Sequence, residues 1–299
     1  MAAASSPPIA PGQTIAGHVV RAVLGRGGMG AVYEVEAPDG ARRAMKVALP
    51  DLDDHGDAAR RLAREGNTLQ LLDHPNIVAA IDRLVDGGRL YLVMELVAGP
   101  SLARLLEGGP LAPRRALVLA RQILDGVEHA HGRGVVHRDL KPDNAIVTAA
   151  GPAHDPYDRI KLLDFGLVKL LDDAAALIGG DRLSRTGFAF GTPAYMAPES
   201  ALGRKVDGRA DLYAIGVMLF EMLTGRLPFA GDDPMALVRA HVSTAPPRLA
   251  DIVGDAPWCT PAIEALVGGA LAKAPTARFA TATVMRACLD DAFGSLDQS

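Results

Sequence analysis

Cysteine is scarce in this sequence: Cys259 and Cys288 are the only two in 299 residues. Two thiols without metal-type spacing exclude a disulfide framework and suit a reducing compartment, so the chain is expected in the cytoplasm. An excess of one charge is also missing. Lys and Arg number 31 and Asp and Glu 35, a formal net charge of -4, which leaves no basic field to collect nucleic acid or anionic lipid. Long hydrophobic runs are absent as well. The most apolar helical candidate, residues 212–220, is flanked by Asp211 and Glu221 and falls far short of the roughly 20 residues a membrane span needs. The first 12 residues have neither a basic start nor a long apolar run, so they read as a flexible leader rather than a signal peptide.

What is present is an ordinary globular composition, 49% hydrophobic and 22% charged, in a chain longer than one hydrophobic core usually serves. Alternating, β-branched stretches at residues 18–24, 31–36 and 42–49 predict an antiparallel meander. A helix-period stretch follows over 56–72 and ends at His74-Pro75-Asn76. Two further strands are predicted over 77–84 and 89–94, joined at the turn signal Asp86-Gly87-Gly88. After Gly99-Pro100 the pattern becomes helical: residues 113–131 and 210–223 are amphipathic or apolar helices, and Asp233-Pro234 and Thr260-Pro261 are N-cap signatures of two more. The expected architecture is α+β and bilobal. A leader over 1–13 precedes a small antiparallel sheet lobe with one helix over 14–97, a larger mainly helical lobe over 98–292 and a flexible tail over 293–299.

Gly25-Arg26-Gly27-Gly28-Met29-Gly30 matches G-x-G-x-x-G. In a chain with 32 glycines about 0.36 such matches are expected by accident. Context adds weight, because a dinucleotide loop runs from strand to helix, whereas this one runs from strand to strand, as a flap over phosphates does. Downstream stand His137-Arg138-Asp139-Leu140-Lys141-Pro142-Asp143-Asn144, then Asp164-Phe165-Gly166, then Ala197-Pro198-Glu199. The seven matched positions of the first of these motifs recur by chance roughly once in a billion start sites.

With these motifs in this order, the sequence resembles the eukaryotic-type (Hanks-type) protein kinases over residues 14–289. Gly27-Gly28-Met29-Gly30 and Gly191-Thr192-Pro193-Ala194-Tyr195-Met196-Ala197-Pro198-Glu199 look most like the bacterial serine/threonine branch. The chemistry needs such residues, since phosphoryl transfer depends on positioning and charge neutralisation. Asp139 would accept or orient the hydroxyl proton, and Asn144 and Asp164 are oxygen ligands suited to Mg²⁺, with Mn²⁺ as an alternative. The resemblance implies that Lys141 reaches the γ-phosphate and that Lys46, in Ala44-Met45-Lys46, holds the α- and β-phosphates of ATP. It also implies that Glu65 pairs with Lys46. Taken alone, Glu65 in Arg64-Glu65 reads as part of a solvated helix face; its position relative to Lys46 and His74 argues for the pair. By the same resemblance, Met94 is the gatekeeper, backbone groups of Glu95 and Val97 pair the purine edge, and Leu24, Val32, Ala44 and Ile146 join the nucleotide-contacting set with Gly25, Gly27, Gly28 and Gly30.

Lys141 two places after Asp139, with Thr192 before Pro193, is the serine/threonine version of the signature, and Thr192 would line the acceptor hydroxyl pocket. Ser101 stands where Arg-directed members commonly carry an acid, which argues against a strong preference for an upstream arginine. Ser184 and Thr186 are candidate phosphosites, opposite Arg138 and Lys169, for autophosphorylation within a transient homodimer; Phe188 departs from relatives that carry a phosphorylatable residue there. The insertion over 149–159 predicts an exposed hairpin extension. Asp211 and Arg278 match bracing positions, Arg278 toward Glu199. His129 and His131 would end a helix on different faces without a fourth ligand, so no histidine metal site is expected, and His137 is a packing residue. The rival reading is a pseudokinase acting as a nucleotide-binding scaffold, which generally loses one of Lys46, Asp139 or Asp164. All three are present, as is the Ala197-Pro198-Glu199 segment that a small-molecule phosphotransferase would lack.

Overall fold

Alternation of apolar and polar side chains builds the first half of the chain. In the computed structural model the described residues are 9–27, 30–48, 57–148, 158–165 and 193–297. They fall into two units, Met1–Ala98 and Gly99–Ser299. The first holds strands β1 (Thr14–Ile15), β2 (His18–Gly27), β3 (Gly30–Glu36), β4 (Arg42–Ala48), β5 (Ala80–Asp86) and β6 (Arg89–Glu95), and helix α1 (Asp57–Leu69). The sheet order is β1-β2-β3-β4-β6-β5, and each neighbouring pair is antiparallel. One set of alternating residues, including Val20, Tyr33, Val35, Met45, Val47 and Val93, forms a buried core. On α1, Leu62, Glu65 and Leu69 are buried at a spacing that puts them on one helical face.

The structure corrects several boundaries. The strand read over 77–84 runs as Ala80–Asp86: Ile77 and Val78 are buried and Ile77 forms only a single β-bridge, its amide bonding the His74 carbonyl at 3.0 Å, so regular pairing starts three residues later than the apolar run. The segment read as leader is partly seated. The Gly12 amide and Gln13 carbonyl each bond Val20 at 2.8 Å, and Ile9 packs on the sheet core. The turn at Gly87 and Gly88 has positive φ at both residues, 55° and 76°, as a tight hairpin requires.

The second unit contains α2 (Leu102–Leu106), α3 (Pro113–His131), α4 (Pro198–Ala201), α5 (Arg209–Thr224), α6 (Pro234–Ser243), α7 (Leu249–Val253), α8 (Pro261–Ala270) and α9 (Ala282–Ser295), with a hairpin of β7 (Ala145–Thr148) and β8 (Arg159–Leu162). Ser101 caps α2, accepting the Arg104 amide at 3.2 Å; Asp233 and Thr260 cap α6 and α8. Helix α5 is buried along nearly its whole length, which marks it as the centre of this unit's core. Helix α9 runs to Ser295, so the expected tail from residue 293 starts inside a helix. Phe293 is covered there by the Arg114 guanidinium, 4.6 Å from the ring centroid. No helix of the described residues is long and apolar enough to cross a membrane.

Candidate active site

In the first unit, the partner pairs Val32↔Lys46 and Ala44↔Met94 put these four side chains on the sheet face opposite the core residues Tyr33, Met45 and Val93. Ala44 and Met94 are buried, whereas Leu24 is 49% exposed. The Lys46 ammonium meets both Glu65 carboxylate oxygens, at 2.8 and 2.9 Å, with side-chain exposures of 12% and 1%. A carboxylate this deeply buried is tolerable because a cation neutralises it. Gly25 pairs with Val32 and Gly27 with Gly30. The Glu95 amide donates to the Ala79 carbonyl at 3.0 Å, and Val97 is half-buried.

In the second unit the loop after α3 is fixed from beneath. His137 is buried and its ring lies 4.5 Å from that of Phe165. Its Nε2 donates to the Leu163 carbonyl at 2.9 Å and its Nδ1 accepts the Asp139 amide at 3.3 Å, one consistent neutral tautomer. The Asp211 carboxylate accepts the amides of His137 and Arg138, each at 2.8 Å, and bonds His131 Nε2 at 2.8 Å. That grip holds Arg138 at a φ of 67°, a conformation non-glycine residues rarely keep without support.

On this support Asp139 Oδ2 meets the Lys141 ammonium at 3.0 Å and the Asn144 side-chain amide at 3.3 Å, and the same amide bonds the Asp139 carbonyl at 2.8 Å. With its nitrogen so engaged, Asn144 directs Oδ1 to the other side, the donor atom a hard cation takes. The Asn144 carbonyl accepts the Leu163 amide at 2.8 Å, which ties this loop to the strand end carrying Asp164. Asp164 has φ 59° and is followed by the wholly buried Phe165, an anchor for the turn. An amide oxygen and a carboxylate on joined backbone segments fit a magnesium ion. Ile146 lies on β7 opposite Lys161 and bridges to Ser101.

The segment after the site is braced too. Arg278 forms a two-pronged bond to Glu199, 2.7 Å to each oxygen. Tyr195 donates its hydroxyl to Glu221 at 2.6 Å; burial first, then the neighbouring Glu221, raises the tyrosine well above its ordinary range, and burial raises Glu221. The sequence reading missed this pair, because Glu221 sits on α5 with no motif of its own. Asp143 is exposed. His129 shares contacts with Arg133 and His131 with Asp211, so the two histidines serve different partners. Gly28, Gly166, Lys169, Ser184, Thr186, Phe188, Thr192 and residues 149–157 lie outside the described residues.

A sheet lysine paired with a helix glutamate, followed by a helical unit that carries an Asp-Lys-Asn loop and an Asp-Phe turn, defines the protein kinase class. The family model described as the protein kinase domain matches residues 18–289, and the chain belongs to that family. It is 40% identical to serine/threonine-protein kinase Pkn1 of Myxococcus xanthus over 267 residues, 89% of this chain and 37% of the relative. It is 36% identical to serine/threonine-protein kinase PknJ of Mycobacterium tuberculosis over 277 residues, 92% of this chain and 45% of the relative. The chain therefore spans less than half the length of either relative. Among solved structures it is similar to the PknI kinase domain of Mycobacterium tuberculosis, with a TM-score of 0.71 and 27% identity over 96% of this chain and 100% of that one.

Proposed function

We propose that the chain is an ATP-dependent serine/threonine protein kinase. The observation that carries this reading is the Asp139 carboxylate held by Lys141 and Asn144 at 3.0 and 3.3 Å, on a loop buttressed by Asp211. Asp139 takes the proton of a serine or threonine hydroxyl as its oxygen bonds to the γ-phosphorus. The bond from that phosphorus to the β–γ bridging oxygen breaks, and ADP leaves. Lys141 balances charge on the transferred group, and Lys46, aimed by Glu65, holds the α- and β-phosphates. Asn144 and Asp164 would hold magnesium, which supplies charge neutralisation on the phosphate oxygens. The face bearing Val32, Ala44 and Met94, with Leu24 and Ile146, receives adenine, and Glu95 and Val97 pair its edge. Thr192 lines the acceptor pocket, and Ser184 and Thr186 are the autophosphorylation sites, received by Arg138 and modified between two copies of the chain. The two widely spaced cysteines support a reducing, cytoplasmic setting.

The test is transfer of labelled γ-phosphate from Mg-ATP to the chain itself and to a basic acceptor protein. Wild type is expected to label both, and Asp139→Asn and Lys46→Met to lower the rate at least about a thousandfold. Equal incorporation in all three proteins would assign the activity to a contaminant. Mass spectrometry of the active protein is expected to find phosphate on Ser184 or Thr186.

A further inference from the structure

The second unit buries a titratable group that the transfer reaction does not use. His241, near the end of α6, is wholly buried. Its Nδ1 bonds the Tyr213 hydroxyl of α5 at 2.9 Å, and its buried Nε2 makes no hydrogen bond of ordinary geometry among the described residues, the Ala194 backbone acting on the ring as a weak acceptor. The ring stands nearly edge-on to Phe229, with centroids 5.0 Å apart. Phe229 belongs with Ala194 and Leu237 to a small core of its own, on which Tyr195, Leu227 and Ala240 pack. That core is the seat of the single turn Pro193–Tyr195.

Lys273 locks the same place from the other side. Its ammonium donates to the carbonyls of Ala240 and His241 at 3.2 and 2.8 Å. It also lies 3.5 Å from the Tyr213 hydroxyl and 4.2 Å from the Phe229 centroid. The Ala240 carbonyl accepts the Thr244 amide as well, and a cation at the last turn of a helix complements the helix dipole. Two cations already stand beside the rings that His241 touches, and the nearby acids are paired. Besides Lys273, the Arg278 guanidinium is 4.8 Å from the Tyr213 ring, and Glu199 of α4 is already bound by Arg278. Glu221 of α5 is bound by Tyr195, and Asp233, the cap of α6, pairs with Arg239 at 3.4 Å on the surface. The Ala194 backbone favours the charged ring, but burial and Lys273 outweigh it and bring His241 down to about 4.

We propose that His241 is a positioning residue for the protein substrate: its ring, held by Tyr213 and Phe229, fixes Pro193–Tyr195, the turn next in sequence to Thr192, in the shape that receives the acceptor segment. This rests on the kinase reading above. The contacts of His241 are a different set from those that fix Asp139, Lys141 and Asn144, so loosening them acts on acceptor binding before it acts on the transfer chemistry.

The test combines steady-state kinetics with myelin basic protein as acceptor and amide hydrogen exchange over residues 194–197. His241→Leu removes the acceptor nitrogen and leaves the Tyr213 hydroxyl proton without that acceptor, so the acceptor KM is expected to rise about tenfold, the ATP KM far less, and exchange to quicken about tenfold. In His241→Asn the side-chain oxygen takes the Tyr213 proton and brings both values back to within about threefold of wild type. Tyr213→Phe, which keeps the ring, moves both in the direction of His241→Leu and stands in for it should that variant not fold. Unchanged exchange and acceptor KM, or equal losses in acceptor KM, ATP KM and kcat without rescue by Asn, would overturn the proposal. Exchange reads the seat without any turnover. A wild type that transfers no phosphate therefore sinks the kinase reading, while the exchange data alone decide whether His241 holds the turn.

Discussion

At the scale of single residues, the buried ion pair between Arg278 and Glu199 separates charge from geometry. The Arg278 side chain is 0% exposed. Besides the two bonds to Glu199 it donates to the carbonyls of Ala272, Arg209 and Lys273 at 2.7, 2.9 and 3.0 Å. A planar fork of five donors is spread over four partners, which an ammonium cannot reproduce although it carries the same charge. Arg278→Lys is therefore expected to behave as a broken buried pair, costing about 3 to 5 kcal/mol. A thermal melt reads this as a fall in Tm of roughly 10 °C. A variant that melted within a degree or two of wild type would mean that charge alone braces this corner.

At the scale of elements, close approach of helices α5 and α8 at Gly216 sets helix propensity against packing. A Cβ at Gly216 would stand 2.6 Å from the Ala270 Cβ and 3.3 Å from the Ala270 carbonyl carbon. Alanine improves helix propensity by about 1 kcal/mol, but overpacking a filled interior costs about 1 to 3 kcal/mol. Ala270 has no rotamer with which to yield, so packing wins and Gly216→Ala should lower Tm by several degrees. A rise in Tm would mean that the two helices separate freely. No sequence pattern announced this contact, since a glycine in an apolar helix looks like any small residue. Helix α3 was legible to its exact ends, because Pro113 starts an uninterrupted amphipathic period. The strand read over 77–84 was placed three residues early because the buried, apolar Ile77 and Val78 look like strand residues, and β7 and β8 went unread at four residues each. The candidate site divides in the same way. Asp139, Lys141, Asn144 and Asp164 were legible because the chemistry fixes residue types at contiguous spacing. Val32, Ala44 and Met94 were read only through the family resemblance, and Glu65 through that resemblance and its position relative to Lys46 and His74. Tyr195 with Glu221, and His241 with Tyr213, are contacts made by tertiary packing between elements with no shared motif.

At the scale of the whole molecule, acid stability turns on groups whose proton affinity changes on folding. His241 falls from an ordinary histidine value to about 4, so between roughly pH 6.5 and 4 the unfolded chain binds a proton that the folded one refuses. Its contribution is fully present above about pH 6.5 and is lost as pH falls through that window, by up to roughly 3 kcal/mol. Glu221 has the opposite sign: burial raises it, so the folded chain holds the proton more firmly and loses that advantage as pH rises above the ordinary carboxylate range. The two effects oppose each other in adjoining ranges, and a single variant separates them. His241→Phe keeps a ring of similar size against Phe229 but has nothing to titrate. It starts less stable, because the Tyr213 hydroxyl proton loses its acceptor, and its dependence on pH is flatter. The chain has one tryptophan, Trp258, in the unit that holds His241, so urea unfolding followed by tryptophan fluorescence at pH 7.5, 6 and 5 reads that unit directly. Wild type is expected to lose stability steadily from pH 6.5 downward and His241→Phe to lose much less. Parallel slopes in the two proteins would show that His241 takes up its proton in the folded state as readily as in the unfolded one, which a ring enclosed by Phe229, Tyr213 and a lysine ammonium should not allow.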